Sequence, residues 1–206
     1  MMPSSATESD SLMVGGIEPP SGWWWAPSNR LDSLLLTGSV LYGMNGGIFF
    51  IFSACVMPSL AAVSDSEGIE VMQKINDVIQ NFWFFLVWGG GFFQGVAQAT
   101  VLLRGREKAR SFVYWKYGLA SSLCYILGCI LVTVLAHVPR NDALAGMDPD
   151  GSEAASYWRE EYLTKWVAWN HVRTAFCILA CILSTMALRI TPTGSFTPPA
   201  LVATVV

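Results

Sequence analysis

The chain has 206 residues, of which 53% are apolar and only 13% charged, and its net charge is −3. Its mean hydropathy of +0.45 is typical of a membrane protein rather than a water-soluble one. The sequence contains neither a phosphate-binding glycine loop nor a basic, aromatic-rich pattern, so no nucleic-acid partner is predicted. The five cysteines all lie in apolar stretches and form neither a disulfide framework nor a Cys/His metal motif.

The amino-terminal segment, residues 1–33, is rich in Ser, Pro and Gly and is predicted to be a disordered or extended arm. It lacks the basic start and apolar core of a secretory signal. Near its end lies the cluster Trp23–Trp25, which suits the headgroup zone of a bilayer or a docking contact with a protein partner. The segment 191–206, which is rich in Pro and Thr, is predicted to be an irregular tail.

Four apolar stretches are long enough to cross about 30 Å of hydrocarbon as helices. They are approximately Leu34–Leu60, Phe82–Leu103, Val113–Val138 and Val167–Ile190. None contains Asp or Glu, and four buried helices of this length would be unusual in a soluble chain this short. The sequence therefore predicts an all-α protein whose residues 34–190 form a four-transmembrane-helix bundle in a lipid bilayer.

Three polar residues and two prolines lie within these spans or at their ends. Asn45, Gln94 and Gln98 lie inside them and are predicted to hydrogen-bond between helices. Pro58 and Pro139 are predicted to end the first and third helices, because proline lacks the backbone N–H that a helix interior needs.

The segment between the first two spans has a helical periodicity of its own. Over Glu67–Ile79, the apolar residues Ile69, Met72 and Ile75 recur at three- and four-residue intervals, and charged residues occupy the other positions. This pattern predicts a short amphipathic helix lying at the membrane interface.

The distribution of basic residues predicts the orientation. The link Arg104–Arg110 holds four basic residues, and Arg30 and Arg189 flank the first and last spans. By the positive-inside rule, this link and both termini face the cytoplasm or its organellar equivalent. The acidic loops 61–81 and 139–166 then share the opposite side, which we call the outer side.

Polar residues of two spans are predicted to meet at the outer side. They are His137, Asn141 and Asp142 at the end of the third span, Asn170, His171 and Arg173 in the fourth, and Asn76 in the loop between the first and second spans. On a helix, Trp166, Asn170 and Arg173 share one face with Trp169 at its flank, whereas His171 points elsewhere. Ionisable groups at such a depth are costly and by default mark a functional site.

Three interpretations of this cluster remain open. Histidine titrates near neutrality and suits a base for C–H deprotonation, and Arg and Asn side chains suit the oxyanion that forms. A metal site would use His137, His171 and Asp142, although these residues lack a diagnostic spacing. A structural role would place Asp142 within direct or one-water hydrogen-bonding reach of Arg173 or His171, in which case Asp142→Asn should weaken the fold.

Four segments carry a family resemblance: FSACVMPSLAAV, EGIEVMQKIN, HVPRNDALAGMDPD and WVAWNHVRT, in this order on four spans. They resemble the anthrone oxygenase-like family of small integral membrane proteins over about Leu35 to Leu188. The resemblance implies a four-helix membrane bundle. A few members are similar to enzymes that oxidise an anthrone to an anthraquinone with O₂ and without flavin, haem or metal, whereas most have no assigned activity.

Two functions follow as hypotheses. In a cofactor-free monooxygenase acting on a lipophilic aromatic substrate, His171 or His137 would remove the proton, and Arg173 with Asn170 or Asn141 would hold the phenolate. Residues expected to line the substrate site are Asn76, Asn141, Asp142, Trp166 and Trp169. Alternatively, the chain is a non-catalytic accessory subunit or small-molecule-binding protein of a membrane assembly, with Trp23–Trp25 as the contact to its partner.

Overall fold

The computed structural model describes residues 30–105 and 112–190, which form five helices and no strand. The helices are α1 (Arg30–Ala61), α2 (Asp65–Val78), α3 (Phe82–Leu103), α4 (Phe112–Ala145) and α5 (Ser152–Arg189). All except α2 are long and apolar enough to cross a membrane. The predicted all-α, four-span architecture is therefore confirmed. The Trp-bearing part of the amino-terminal arm and the tail lie outside the described residues.

The four spans form a ring in the order α1, α3, α4, α5. Both α1 and α4 pack against α3 and against α5, and the contact between α1 and α5 is the most extensive. Three apolar clusters fill the bundle from its inner to its outer end. The outermost cluster also includes Ile69 and Met72 from the apolar face predicted for α2, so this helix packs onto the outer end of the bundle.

The two prolines that were predicted to end helices lie inside α1 and α4 instead. A π-helical stretch, Phe52–Val56, precedes Pro58, and another, Thr133–His137, precedes Pro139. Each proline then takes the first turn of the helical segment that follows, where a missing N–H costs little. The prediction of a break was therefore wrong at both positions, and the spans extend to Ala61 and Ala145.

The polar residues inside the spans bond between helices as predicted. Asn45 Nδ2 donates to the carbonyl oxygen of Val87 at 3.1 Å, which ties α1 to α3. Gln98 Nε2 donates to the carbonyl oxygen of Gly118 at 2.7 Å, which ties α3 to α4. Gln94 accepts a 2.6 Å hydrogen bond from a tyrosine hydroxyl of α1.

Helix α2 begins at a capping box. The Ser64 hydroxyl and backbone N–H both donate to the carboxylate of Glu67, at 2.6 and 3.1 Å. These hydrogen bonds, that of the hydroxyl foremost, favour the ionised form and lower the pKa of Glu67. Farther along α2, Gln73 Nε2 donates to two carbonyl oxygens at the end of α4, those of Leu144 and Met147. Helix α2 is thereby held against the outer end of α4.

Close approach of α4 and α5 depends on Gly128. A Cβ atom at this position would lie 2.1 Å from Cγ of Phe176. We expect Gly128→Ala to destabilise the protein by about 1–3 kcal/mol, the usual cost of overpacking, and to lower the thermal midpoint in detergent. Gly47→Ala is the matched control, because no atom of another described helix lies within 4 Å of the added Cβ. Equal midpoints for the two variants would contradict the close approach.

The orientation predicted from charge can be tested with single cysteines in a cysteine-free background. Asp150 lies in the outer loop and Arg104 at the inner end of α3, and both are exposed. We expect a membrane-impermeant maleimide to reach Asp150→Cys only from the outer side and Arg104→Cys only from the cytoplasmic-equivalent side. Labelling of both from one side would contradict the four-span arrangement.

Candidate functional site

A cavity of about 200 Å³ lies at the outer end of the bundle, and all four spans and α2 contribute to its wall. Six of the lining residues are phenylalanine or tryptophan, among them Phe49, Phe52, Phe84 and Trp88. The polar residues that line it are Asn76, Gln80, Thr133, His137, Asn141, Asp142 and Arg173. Sites for drug-sized ligands usually measure about 300–1,000 Å³, so this cavity suits a smaller molecule.

Arg173 lies at the buried end of this cavity and is only 6% exposed. Its Nη2 donates to Oδ1 of Asn170 at 2.6 Å, and its Nη1 donates to the Thr133 hydroxyl at 3.2 Å. The guanidinium carbon lies 4.1 Å from the centre of the Phe49 ring and 5.5 Å from that of Trp166. The guanidinium is thus held by neutral groups and aromatic faces.

Asn170 positions Arg173 from behind, without lining the cavity. Its Nδ2 donates to the carbonyl oxygen of Phe49 at 2.8 Å and to the Ser53 hydroxyl at 2.7 Å, both in α1. These two hydrogen bonds fix the amide so that its oxygen faces Arg173. The position of the guanidinium therefore depends on the packing of α5 against α1.

His137 is 1% exposed and lies at the end of a π-helical stretch of α4. Its Nδ1 is 3.4 Å from the carbonyl oxygen of Val132. A carbonyl only accepts hydrogen bonds, so we assign the proton to Nδ1 and the lone pair to Nε2. Among the residues that the structure describes, Nε2 has no hydrogen-bond partner. The imidazole packs edge-on against Trp166, with 4.9 Å between ring centres, so His137 and Arg173 contact the same indole.

Asn141 joins the outer elements around the cavity. Its Oδ1 accepts hydrogen bonds from the Tyr162 hydroxyl at 2.7 Å and from Nε1 of Trp166 at 2.9 Å. Asn76 Nδ2, from α2, donates to the same tyrosine oxygen at 3.1 Å. This network links α2, α4 and α5 and fixes the indole that His137 and Arg173 contact.

Unpartnered polar atoms concentrate in this cavity. Five buried side-chain polar atoms of the described residues lack a hydrogen-bond partner, and three of them belong to residues that line it: Trp88 Nε1, His137 Nε2 and Arg173 Nε. A buried polar group without a partner costs about 1–3 kcal/mol. Atoms of this kind take their hydrogen bonds from water or from a bound molecule that enters the cavity.

Three of the predicted site residues do not line the cavity: Asn170 contacts Arg173 from behind, and two others lie on the exposed face of α5. His171 and Trp169 are exposed and do not line the cavity, because α5 turns the face of Trp166, Asn170 and Arg173 inward. His137 is thus the histidine at the cavity. The structure also fails to gather the metal ligands considered above: within residues 30–105 and 112–190, no three His, Cys, Asp or Glu side chains form a group that could hold a metal ion.

Asp142 lines the cavity but is exposed, and its carboxylate forms no hydrogen bond or ion pair with any described residue. The direct bond predicted between Asp142 and Arg173 or His171 is therefore wrong, and their reach through one water molecule stays a prediction. The physical reason is that Asn170, Thr133 and two aromatic rings surround the guanidinium, whereas Asp142 lies five residues beyond His137 and is exposed.

Because the Asp142 carboxylate is exposed and unpaired within the described residues, Asp142→Asn is no longer expected to weaken the fold. Asp142→Asn should change the free energy of unfolding by less than about 0.5 kcal/mol, as for other exposed positions. Asn170→Ala, by contrast, removes the partner of Arg173 and of the Phe49 carbonyl and should cost about 1–3 kcal/mol. Thermal midpoints in detergent compare the two variants. A larger loss for Asp142→Asn than for Asn170→Ala would restore the structural role of Asp142.

The sequence pattern did not single out Trp88, Thr133 or Tyr162. Thr133 could have been identified from the sequence, since it precedes His137 by four residues and therefore shares its helical face. Trp88 and Tyr162 are aromatic residues among many, and only the assembled bundle brings them to the cavity and to Asn141.

A family model described as anthrone oxygenase matches residues 83–183. The matched segment contains nearly all of α3, the whole of α4 and most of α5, and with them Trp88, His137 and Arg173. No curated protein and no solved structure matches the chain.

Proposed function

Because residues 83–183 of this chain belong to the anthrone oxygenase-like family, we propose that it is an integral membrane oxygenase that oxidises a lipophilic anthrone-type compound with O₂ and without a cofactor. One observation carries the proposal. Two buried nitrogen groups of complementary character, Nε2 of His137 and the guanidinium of Arg173, belong to one aromatic-lined cavity and contact one indole.

His137 is the proposed base. The methylene group of an anthrone lies between two aromatic rings and is conjugated to the carbonyl across the central ring, so its loss of a proton gives an aromatic oxyanion. In the assigned tautomer Nε2 presents a lone pair, and no donor from the described part of the chain competes for it. A base placed within hydrogen-bonding reach of the proton it removes typically contributes about 10²–10⁴-fold to a rate.

Arg173 is the proposed stabiliser of the oxyanion. Its charge is not neutralised by a carboxylate within the described residues, and Nε retains a free N–H. The bonds to Asn170 and Thr133 hold the guanidinium in place before the substrate arrives. Such preorganisation in a water-poor site stabilises charge that develops during the reaction.

The reaction balances with O₂ as its only co-reactant. His137 takes one methylene proton, and the carbanion donates an electron to O₂, after which the two radicals join in a C–O bond. The imidazolium returns the proton to give a hydroperoxide. Loss of the second C–H proton and cleavage of the O–O bond then release water and leave a carbonyl. The sum is CH₂ + O₂ → C=O + H₂O.

Purification in a mild detergent followed by an anthrone assay tests this proposal. We expect a monodisperse lone protein, with no added metal or flavin, to consume O₂ and form anthraquinone in equal amounts, faster than protein-free micelles, which correct for spontaneous oxidation. A stoichiometric partner that co-migrates, together with turnover no faster than the background, would instead support the accessory-subunit hypothesis.

A further inference from the structure

The cavity has a buried end and an exposed end. The side chains at the buried end are His137 (1% exposed), Trp166 (3%) and Arg173 (6%). Those at the other end are Phe85 (47% exposed), Val138 (42%), Gln80 and Asp142. All seven line the same cavity. The cavity therefore opens where the end of α2, the beginning of α3 and the outer part of α4 meet.

Helix packing leaves room at this place. Helix α3 packs against α1 and against the inner part of α4, up to Leu131. The outer part of α4, Thr133–Ala145, packs mainly against α2 and α5 instead. Phe85 and Val138 thus belong to two spans that separate towards the outer side, and the opening between them faces the surface of the bundle.

The rim of this opening is amphipathic. Phe85 lies about one turn inside the start of α3 at Phe82, and Val138 lies in α4 just ahead of Pro139, so both belong to segments apolar enough to cross the bilayer. Gln80 and Asp142 lie nearer the helix ends. Aromatic molecules with a polar edge concentrate at this depth of a bilayer, as tryptophan and tyrosine side chains do.

We propose that the ligand enters the cavity laterally from the bilayer, between α3 and α4, through a portal formed by Phe85 and Val138. The ligand class is a planar polycyclic aromatic compound with oxygen atoms on one edge. Its rings pass the apolar residues of the portal, and its oxygen atoms meet the donors at the buried end. The identity of this ligand rests on the proposed function, whereas the route rests on the geometry of the opening.

Binding of a hydroxyanthraquinone, a stable probe of this class, tests the portal without any turnover. The protein is placed in nanodiscs, the probe is delivered from vesicles, and quenching of tryptophan fluorescence gives the association rate. We expect Val138→Trp to slow association by about tenfold, within the range over which mutants of one site vary. Phe85→Ala, which widens the portal, should accelerate it.

Leu135→Trp is the matched control. Leu135 lies in the same helix and is 66% exposed, but it does not line the cavity, so this variant adds the same fluorophore without obstructing the portal. It should bind the probe at the wild-type rate. Equal rates for Val138→Trp and Leu135→Trp, or no binding by the wild-type protein, would overturn the portal. A wild-type protein that binds the probe through the portal but oxidises no anthrone would overturn only the proposed reaction.

Discussion

Substitution of His137 by glutamine is expected to lower kcat for anthrone oxidation by about 10²–10⁴-fold, the usual contribution of a positioned base. Glutamine fills a similar volume and has polar atoms, but it does not accept a proton at neutral pH. Because His137 is buried at the cavity with Nε2 free, the loss should fall on the chemical step more than on KM. Steady-state kinetics in nanodiscs, corrected for spontaneous oxidation, measures it.

The chain provides its own control, since it contains two histidines. His171 is exposed and does not line the cavity, so His171→Gln should retain the wild-type rate. Thermal midpoints of both variants show whether a lower rate reflects lost catalysis or a destabilised fold. A His137→Gln protein as active as His171→Gln would remove His137 from the mechanism, and a loss confined to His171→Gln would move the site to the other face of α5.

Substitution of Arg173 by methionine is expected to lower kcat/KM by about 10²–10³-fold, the typical loss on removing one oxyanion donor. The buried cation has no carboxylate partner within the described residues. Its removal relieves the cost of burying a charge, which offsets part of the cost of leaving Oδ1 of Asn170 without its donor. Activity should therefore fall far more than the thermal midpoint does. Arg173→Lys should recover only part of the activity, because an ammonium group does not reproduce the planar fork that reaches both Asn170 and Thr133.

Arg140→Gln is the matched control for this experiment. Arg140 lies at the outer end of α4 and does not line the cavity. Its guanidinium pairs with Glu161 at 3.6 Å and donates to the carbonyl oxygen of Ala136. The rate of Arg140→Gln should stay near that of the wild type. An unchanged anthrone turnover in Arg173→Met, in a preparation free of added metal, would contradict the role of Arg173 as oxyanion stabiliser.

Much of the fold was predictable, because a bilayer imposes few solutions on a sequence. The four apolar stretches without Asp or Glu define the spans, and a polar residue such as Asn45 or Gln98 inside a span must find a partner on another helix. The proline positions were not predictable in the same way. Whether Pro58 and Pro139 end a helix depends on the π-helical stretches that precede them, and these stretches depend on how the helices pack.

The candidate site was predictable as a location and only partly as a set of residues. Topology alone brings His137 and Arg173 to one membrane edge. The choice between the two histidines required the rotation of α5 about its axis, which directs Arg173 inward and His171 outward. Charge complementarity suggested Asp142 as the partner of Arg173, but an amide, a hydroxyl and aromatic faces occupy that place instead.

Oxidation of an anthrone under ¹⁸O₂ shows whether the new carbonyl oxygen comes from O₂ in a step that needs His137. Attack of a carbanion on O₂ forms a C–O bond to an atom of O₂, and cleavage of the O–O bond leaves that atom on carbon. We expect mass spectrometry to find one ¹⁸O atom in the new carbonyl of each anthraquinone formed above the protein-free background, with this excess nearly lost in His137→Gln. A protein-dependent product that draws its new oxygen from H₂¹⁸O, or an ¹⁸O-labelled excess that His137→Gln leaves undiminished, would contradict the account.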